Sequence, residues 1–172
     1  MTRSRTITWQ DPVEAAALGR DLTGLESLHR IGSGLLPPPP VAELIGFRPI
    51  FITPGYVVFS YEPREEHYNT LGAVHGGILT TVLDTAMGCA VHSQLDLGAA
   101  PVTIELKTSF VRPVTLASGL LRAEGSIVHG GNRIATAEAK LLDEDATLFA
   151  HATSTWLIHQ LSEKPKKEQL AA

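Results

Sequence analysis

The chain has 172 residues, a formal net charge of −4 and a hydrophobic fraction of 44%, which suits one domain with short appendages and excludes disorder or collagen-like repeats. Charged residues make up only 19%, against about 25% in a typical soluble chain, so part of the exterior is expected to lie against a second copy. The mild acidity excludes a dedicated nucleic-acid binder, and the lone Cys89 excludes a disulfide framework or a four-cysteine metal site.

Residues 1–5 are not followed by an apolar run of the secretory kind, and no apolar stretch is long enough to span a bilayer. A cytoplasmic protein with no membrane partner is expected. Over 11–31 an amphipathic helix is expected, with Asp11 as its N-cap, Pro12 at the first helical position and a stripe of Leu18, Leu22, Leu25 and Leu28. Residues 37–40 are four prolines, a stiff connector. Residues 1–40 thus read as a helical arm, docked because it is too small to hold a core.

The domain proper spans 41–160. After a helical turn at 41–46, strands are expected at 47–53 and 56–61 across a Pro54-Gly55 turn, then a polar loop at 62–70. A helix follows over 75–94, apolar on most of its circumference and therefore buried. Four strands close the domain at 102–111, 120–129, 133–142 and 148–158. In the first of these, Ile104, Leu106 and Phe110 alternate with Glu105, Lys107 and Ser109. The polar tail, 161–172, is expected to be disordered. The fold class is α+β, a long antiparallel sheet wrapped around one central helix, since each needs the other's apolar surface.

The chemistry concentrates between Asn69 and Asp84. Gly76 and Gly77 open the long helix, where free backbone N–H groups and the positive dipole end suit an anion or a developing oxyanion. The same two glycines also suit tight packing under a sheet. Asp84 lies two turns further on, among Val82, Leu83, Ala86 and Met87. A carboxylate there must be paired, protonated or open to a wet cleft. It is either a general base or nucleophile, or a structural group bonded to Thr81 or Thr85. Eight residues separate Gly76 from Asp84, roughly 12 Å of helix, so one carbonyl cannot meet both within a chain. Two antiparallel helices across a two-fold axis would bring them together.

The run Asn69, Gly72, His75, Gly76, Gly77 with the later Asp84, and the strand from Pro101 through Lys107 to Phe110, Arg112 and Pro113, resembles the hotdog-fold acyl-CoA thioesterases of the PaaI type, which act on phenylacetyl- and hydroxybenzoyl-CoA esters. The likeness covers about 44–158. It implies a hotdog fold and hydrolysis of an aryl- or medium-chain acyl-CoA to free acid and CoA. By the same resemblance the Gly76 N–H would polarise the thioester carbonyl, and Asp84 of the other subunit would attack it or activate water. Asn69 would orient water or the leaving thiolate, His75 would position the substrate or loop, and Thr103 would hold the attacking water. Read without the family, Asn69 caps a loop, His75 caps a helix and Thr103 is an ordinary strand residue.

CoA carries phosphates, so Gly77, Arg112, His129, Gly130, Gly131 and Arg133 are the candidates for binding it. Asn132 departs from the Gly-Arg-Arg common in relatives at this turn, and Thr70 stands for a frequent proline. The resemblance implies no metal and no cofactor beyond CoA as part of the substrate, and the helix geometry implies a homodimer, with pairing of dimers into a tetramer an open alternative. No metal-ligand spacing, serine-hydrolase elbow or phosphate loop is present in the sequence. His92 sits near a helix end where the dipole favours a cation; His67 sits in the polar loop. The alternatives are a hotdog dehydratase or hydratase and a non-catalytic acyl-CoA-binding module.

Overall fold

Asp11 caps the first helix as expected: its carboxylate accepts from the N–H groups of Val13 and Glu14. In the computed structural model, which describes residues 1–160, the expected single helix over 11–31 is two, α1 (Pro12–Leu18) and α2 (Gly24–Gly32). The break has a local cause. Gly19 ends α1, and Thr23 opens α2 with a capping box, its hydroxyl accepting from the Glu26 N–H while the Glu26 carboxylate accepts from the Thr23 N–H. The leucine stripe divides accordingly: Leu28 is buried and Leu18 is exposed. The polar tail at 161–172 lies outside the described residues.

The helical turn α3 (Pro40–Ile45) leads into β1 (Phe47–Thr53) and β2 (Tyr56–Tyr61). The buried helix is α4 (Gly76–His92), followed by β3 (Ala99–Phe110), β4 (Leu121–Gly130), β5 (Ile134–Leu142) and β6 (Leu148–Gln160). The six strands form one antiparallel sheet in the order β1-β2-β4-β5-β6-β3, with α4 packed against β2 through β6. This is the hotdog architecture.

Leu79, Val82, Leu83, Ala86, Met87, Ala90 and Val91 bury one side of α4. They meet Ala123 on β4, Ala137 and Ala139 on β5, and Ala152 on β6. These small sheet residues let the helix lie close. At Gly125 the approach is backbone to backbone, where a Cβ would fall 2.3 Å from the Ala86 carbonyl oxygen. No helix among the described residues is long and apolar enough to cross a membrane.

Candidate active site

The helix opens on a loop that folds back on itself. Asn69 Oδ1 accepts from the N–H of Leu71 at 2.8 Å and of Ala73 at 3.4 Å, and the Asn69 N–H donates to the Ala73 carbonyl. His75 is the N-cap, with Nδ1 accepting from the Gly77 N–H at 2.9 Å. Its own N–H donates to the His67 carbonyl at 2.8 Å. His67, expected in a polar loop, is buried there, stacked on Tyr61 with Nδ1 2.9 Å from the phenol oxygen. It thereby ties the entry of the loop to β2.

The cap leaves one donor free. The Gly77 N–H is taken by His75, whereas the Gly76 N–H meets no acceptor among the described residues. The Phe110 ring lies over Gly76, close enough that a Cβ there would sit 2.8 Å from its Cζ. Asn69, Leu79, Phe110, Arg112 and Gly76 line a cleft of about 590 Å³ at this helix end. Phe110 reads from the sequence as a strand residue of the motif and not as part of the site; its period-two relation to Thr108 on β3 is the signal that could have placed it there.

Asp84 is half-buried, and that desolvation raises its carboxyl above the ordinary carboxylate range, opposed by a hydrogen bond from Thr103. Thr103 Oγ1 donates to Asp84 Oδ1 at 3.2 Å. Thr81 and Thr85 are not its partners; their hydroxyls donate to the carbonyls of Gly77 and Thr81. Burial, with the Asp84 charge as a lesser cause, also pushes the Cys89 thiol up to about 12.

A β-bulge aims Thr103 at this carboxylate. Thr103 meets Asp84, Thr108 meets Thr80 at 3.4 Å, and Phe110 meets Gly76, so all three face α4. Thr103 and Thr108 are an odd number of residues apart, which a regular strand would send to opposite faces. The pairing of β3 with β6 slips between Thr103 and Glu105 and resets the alternation. Ile104, expected on the apolar face with Leu106 and Phe110, is 55% exposed for the same reason.

The candidates for CoA phosphates do not converge within one protomer. Arg112 lies in the cleft beside Gly76 and donates to the Leu148 carbonyl at 2.5 Å. His129 and Gly130 end β4, and Gly131 and Arg133 lie in the turn to β5. Gly130 and Gly131 line a separate cavity with Gln94 and Asp96 at the far end of the 17-residue α4, roughly 25 Å away. At that end burial lowers the His92 imidazole pKa, so desolvation outweighs the dipole expected to favour its cation.

The family model of the thioesterase superfamily matches residues 71–150. A solved phenylacetic acid degradation-related protein of the thioesterase type from Ralstonia eutropha JMP134 is 30% identical. The likeness covers 76% of this chain and 98% of that one, with a TM-score of 0.69. A protein of Halobacterium salinarum that bears an esterase name is 38% identical over 95 residues, 54% of this chain and 61% of that one. Acyl-coenzyme A thioesterase 13 of Homo sapiens is 28% identical over 68 residues, 40% of this chain and 48% of that one. The chain therefore spans less than two thirds of these two curated relatives.

Proposed function

The chain belongs to the thioesterase superfamily, and from that premise we propose that it is a thioester hydrolase acting on acyl-CoA, with an aryl or medium-chain acyl group. The observation that carries the reading is the hydrogen bond between Asp84 on α4 and Thr103 on β3, together with the free N–H at the start of α4. Asp84 takes a proton from a water held by Thr103, and the water oxygen bonds to the thioester carbonyl carbon. The oxyanion so formed accepts from the Gly76 N–H. Collapse breaks the C–S bond; the proton held on Asp84 passes to the thiolate, releasing CoA and the free acid. A carboxyl with a raised pKa suits both proton transfers. The chemistry needs no metal and no cofactor beyond the CoA of the substrate.

The two halves of the site come from two protomers. β3 is an edge strand with Val102 and Ile104 about half exposed, and the α4 face bearing Gly77, Thr81, Asp84 and Thr85 has no fully buried residue. A two-fold pairing along this face sets Gly76 of one protomer beside Asp84 of its partner. A dehydratase reading is disfavoured because His75, its natural acid–base candidate, is engaged as a helix cap. The test is thiol release from a panel of aryl- and alkyl-CoA esters, wild type against Asp84→Ala. Cleavage by wild type alone supports the reading; binding of the esters without cleavage by wild type would replace it with a binding module.

A further inference from the structure

The Gly76 N–H points where the residue before it directs. His75 has φ −61° and ψ 132°, and the peptide between His75 and Gly76 carries the free donor. On the helix side that peptide is fixed in the ordinary way, its carbonyl accepting from the Ile78 N–H at 2.9 Å. On the other side the His75 N–H leaves the helix and donates to the His67 carbonyl at 2.8 Å. The aim of the donor thus depends on how firmly residue 67 is held. Tyr61, the last residue of β2, pairs with Phe47 on β1 and Leu121 on β4, and none of the three has exposed surface. Its phenol oxygen lies 2.9 Å from His67 Nδ1, and the two rings stack. His67 Nε2 is buried and meets no partner among the described residues, so the phenol is the one polar anchor of that imidazole among them. The outer side of the same turn, Glu65–His67, is held by ion pairs of Arg3 with Glu65 and of Arg5 with Glu66. Those four side chains are all partly open to water, and pairs of that kind hold weakly.

We infer that Tyr61 and His67 are positioning residues for the oxyanion donor: their buried contact fixes the turn, the His67 carbonyl fixes His75, and His75 aims the Gly76 N–H. The inference rests on the proposed hydrolysis and adds to it two residues that act through Gly76 without touching substrate. Neither lines the cleft beside Gly76, whose walls come from Asn69, Gly76, Leu79, Phe110 and their neighbours. A donor of this kind must stay within about 0.5 Å and 10–20° of its productive place, and a hydrogen bond weakens steeply once its angle falls toward about 120°. Losing the phenol oxygen leaves the imidazole without a polar partner and frees the turn to shift by that much. The middle of the segment is held separately, by the Asn69 side chain and by the Val74 N–H, which donates to the Val114 carbonyl at 2.8 Å. Cutting the Tyr61–His67 contact therefore moves the donor and leaves the loop folded.

The test asks whether the effect passes through the Gly76 N–H. Tyr61→Phe keeps the buried ring and removes only the phenol oxygen; His67→Leu removes the imidazole, and His67→Asn restores a polar atom near the place of Nδ1. For a cleaved acyl-CoA ester, kcat and KM are measured for each variant alone and on a Gly76→Pro background, which has no N–H to aim and suits the first helical position. Tyr61→Phe and His67→Leu are expected to lower kcat about tenfold, a part of the 10²–10³ that a whole donor supplies. KM should stay within about twofold, His67→Asn should recover most of the loss, and on the Gly76→Pro background the loss should vanish. In amide NMR spectra of glycine-labelled protein, the Gly76 signal, identified by its absence in Gly76→Pro, should shift in Tyr61→Phe while that of Gly125 stays. Equal losses in both backgrounds, or a lowered melting temperature with kcat unchanged, would overturn the positioning role while hydrolysis by wild type stands. If wild type cleaves no ester, the hydrolase reading fails and the spectra decide alone: a shifted Gly76 signal upholds the positioning of the N–H, and an unmoved one overturns it.

Discussion

Replacing Gly76 with proline removes one hydrogen-bond donor and changes little else in the backbone. Proline is well tolerated at the first helical position, where the N–H has no intrahelical acceptor. His75 before it has φ −61° and ψ 132°, the extended region that a following proline requires. The new ring carbons press on Phe110, whose Cζ would lie 2.8 Å from a Cβ at this position. That ring is 52% exposed and can swing outward, so the stability cost is about 1 kcal/mol, the low end for overpacking. Gly76→Ala makes a similar push and keeps the N–H, so the ratio between the two variants isolates the donor. Loss of one oxyanion-hole donor lowers kcat by about 10²–10³-fold. The assay is thiol release from a cleaved acyl-CoA ester, with thermal melts to confirm folding. If Gly76→Pro turns over as fast as Gly76→Ala, the Gly76 N–H is not the oxyanion donor.

Asp84→Asn should abolish most turnover, by about 10²–10⁴-fold, and yet raise the melting temperature at pH 7. Burial holds the folded carboxyl pKa above its unfolded value, so the folded state binds the proton more tightly and wild-type stability falls as pH rises through the folded pKa. The gain should vanish below the unfolded carboxylate pKa; a lower melting temperature for Asn at pH 7 would contradict this. Thr103→Val removes the hydrogen bond that opposes the Asp84 shift, so the acid limb of the pH–rate profile should move to higher pH, while Thr103→Ser leaves it in place. Gly125→Ala puts a Cβ 2.3 Å from a backbone oxygen of α4 and should cost about 3 kcal/mol in denaturant unfolding, with a smaller loss contradicting the rigid contact.

Strand and helix positions in the domain were legible because their signals are local. The Pro54-Gly55 turn and the apolar circumference of 75–94 correspond to the β1–β2 hairpin and α4 within two residues at each end. The break in the arm was legible too, in the Thr23-to-Glu26 capping spacing, but the leucine stripe running across it favoured one long helix. The face of Thr103 was not legible. It depends on the bulge beside Ile104, which is set by pairing with β6 some fifty residues away. For His67, a polar neighbourhood concealed a core position created by Tyr61 across the loop. The grouping of Arg112 with residues 129–133 failed within one chain for a similar reason: sequence spacing carries no information about which end of α4 each turn reaches.

The claim that Gly76 of one protomer works with Asp84 of its partner is tested most directly by mixing two inactive variants. Asp84→Asn keeps an intact Gly76, and Gly76→Pro keeps an intact Asp84. Unfolding and refolding the two together at equal amounts makes half of the dimers mixed, each with one complete site, which predicts recovery to about a quarter of wild-type activity under a two-fold shared-site geometry. Activity that stays at the level of the separate variants, in samples where mixed dimers are demonstrated by differential tagging, would contradict the account.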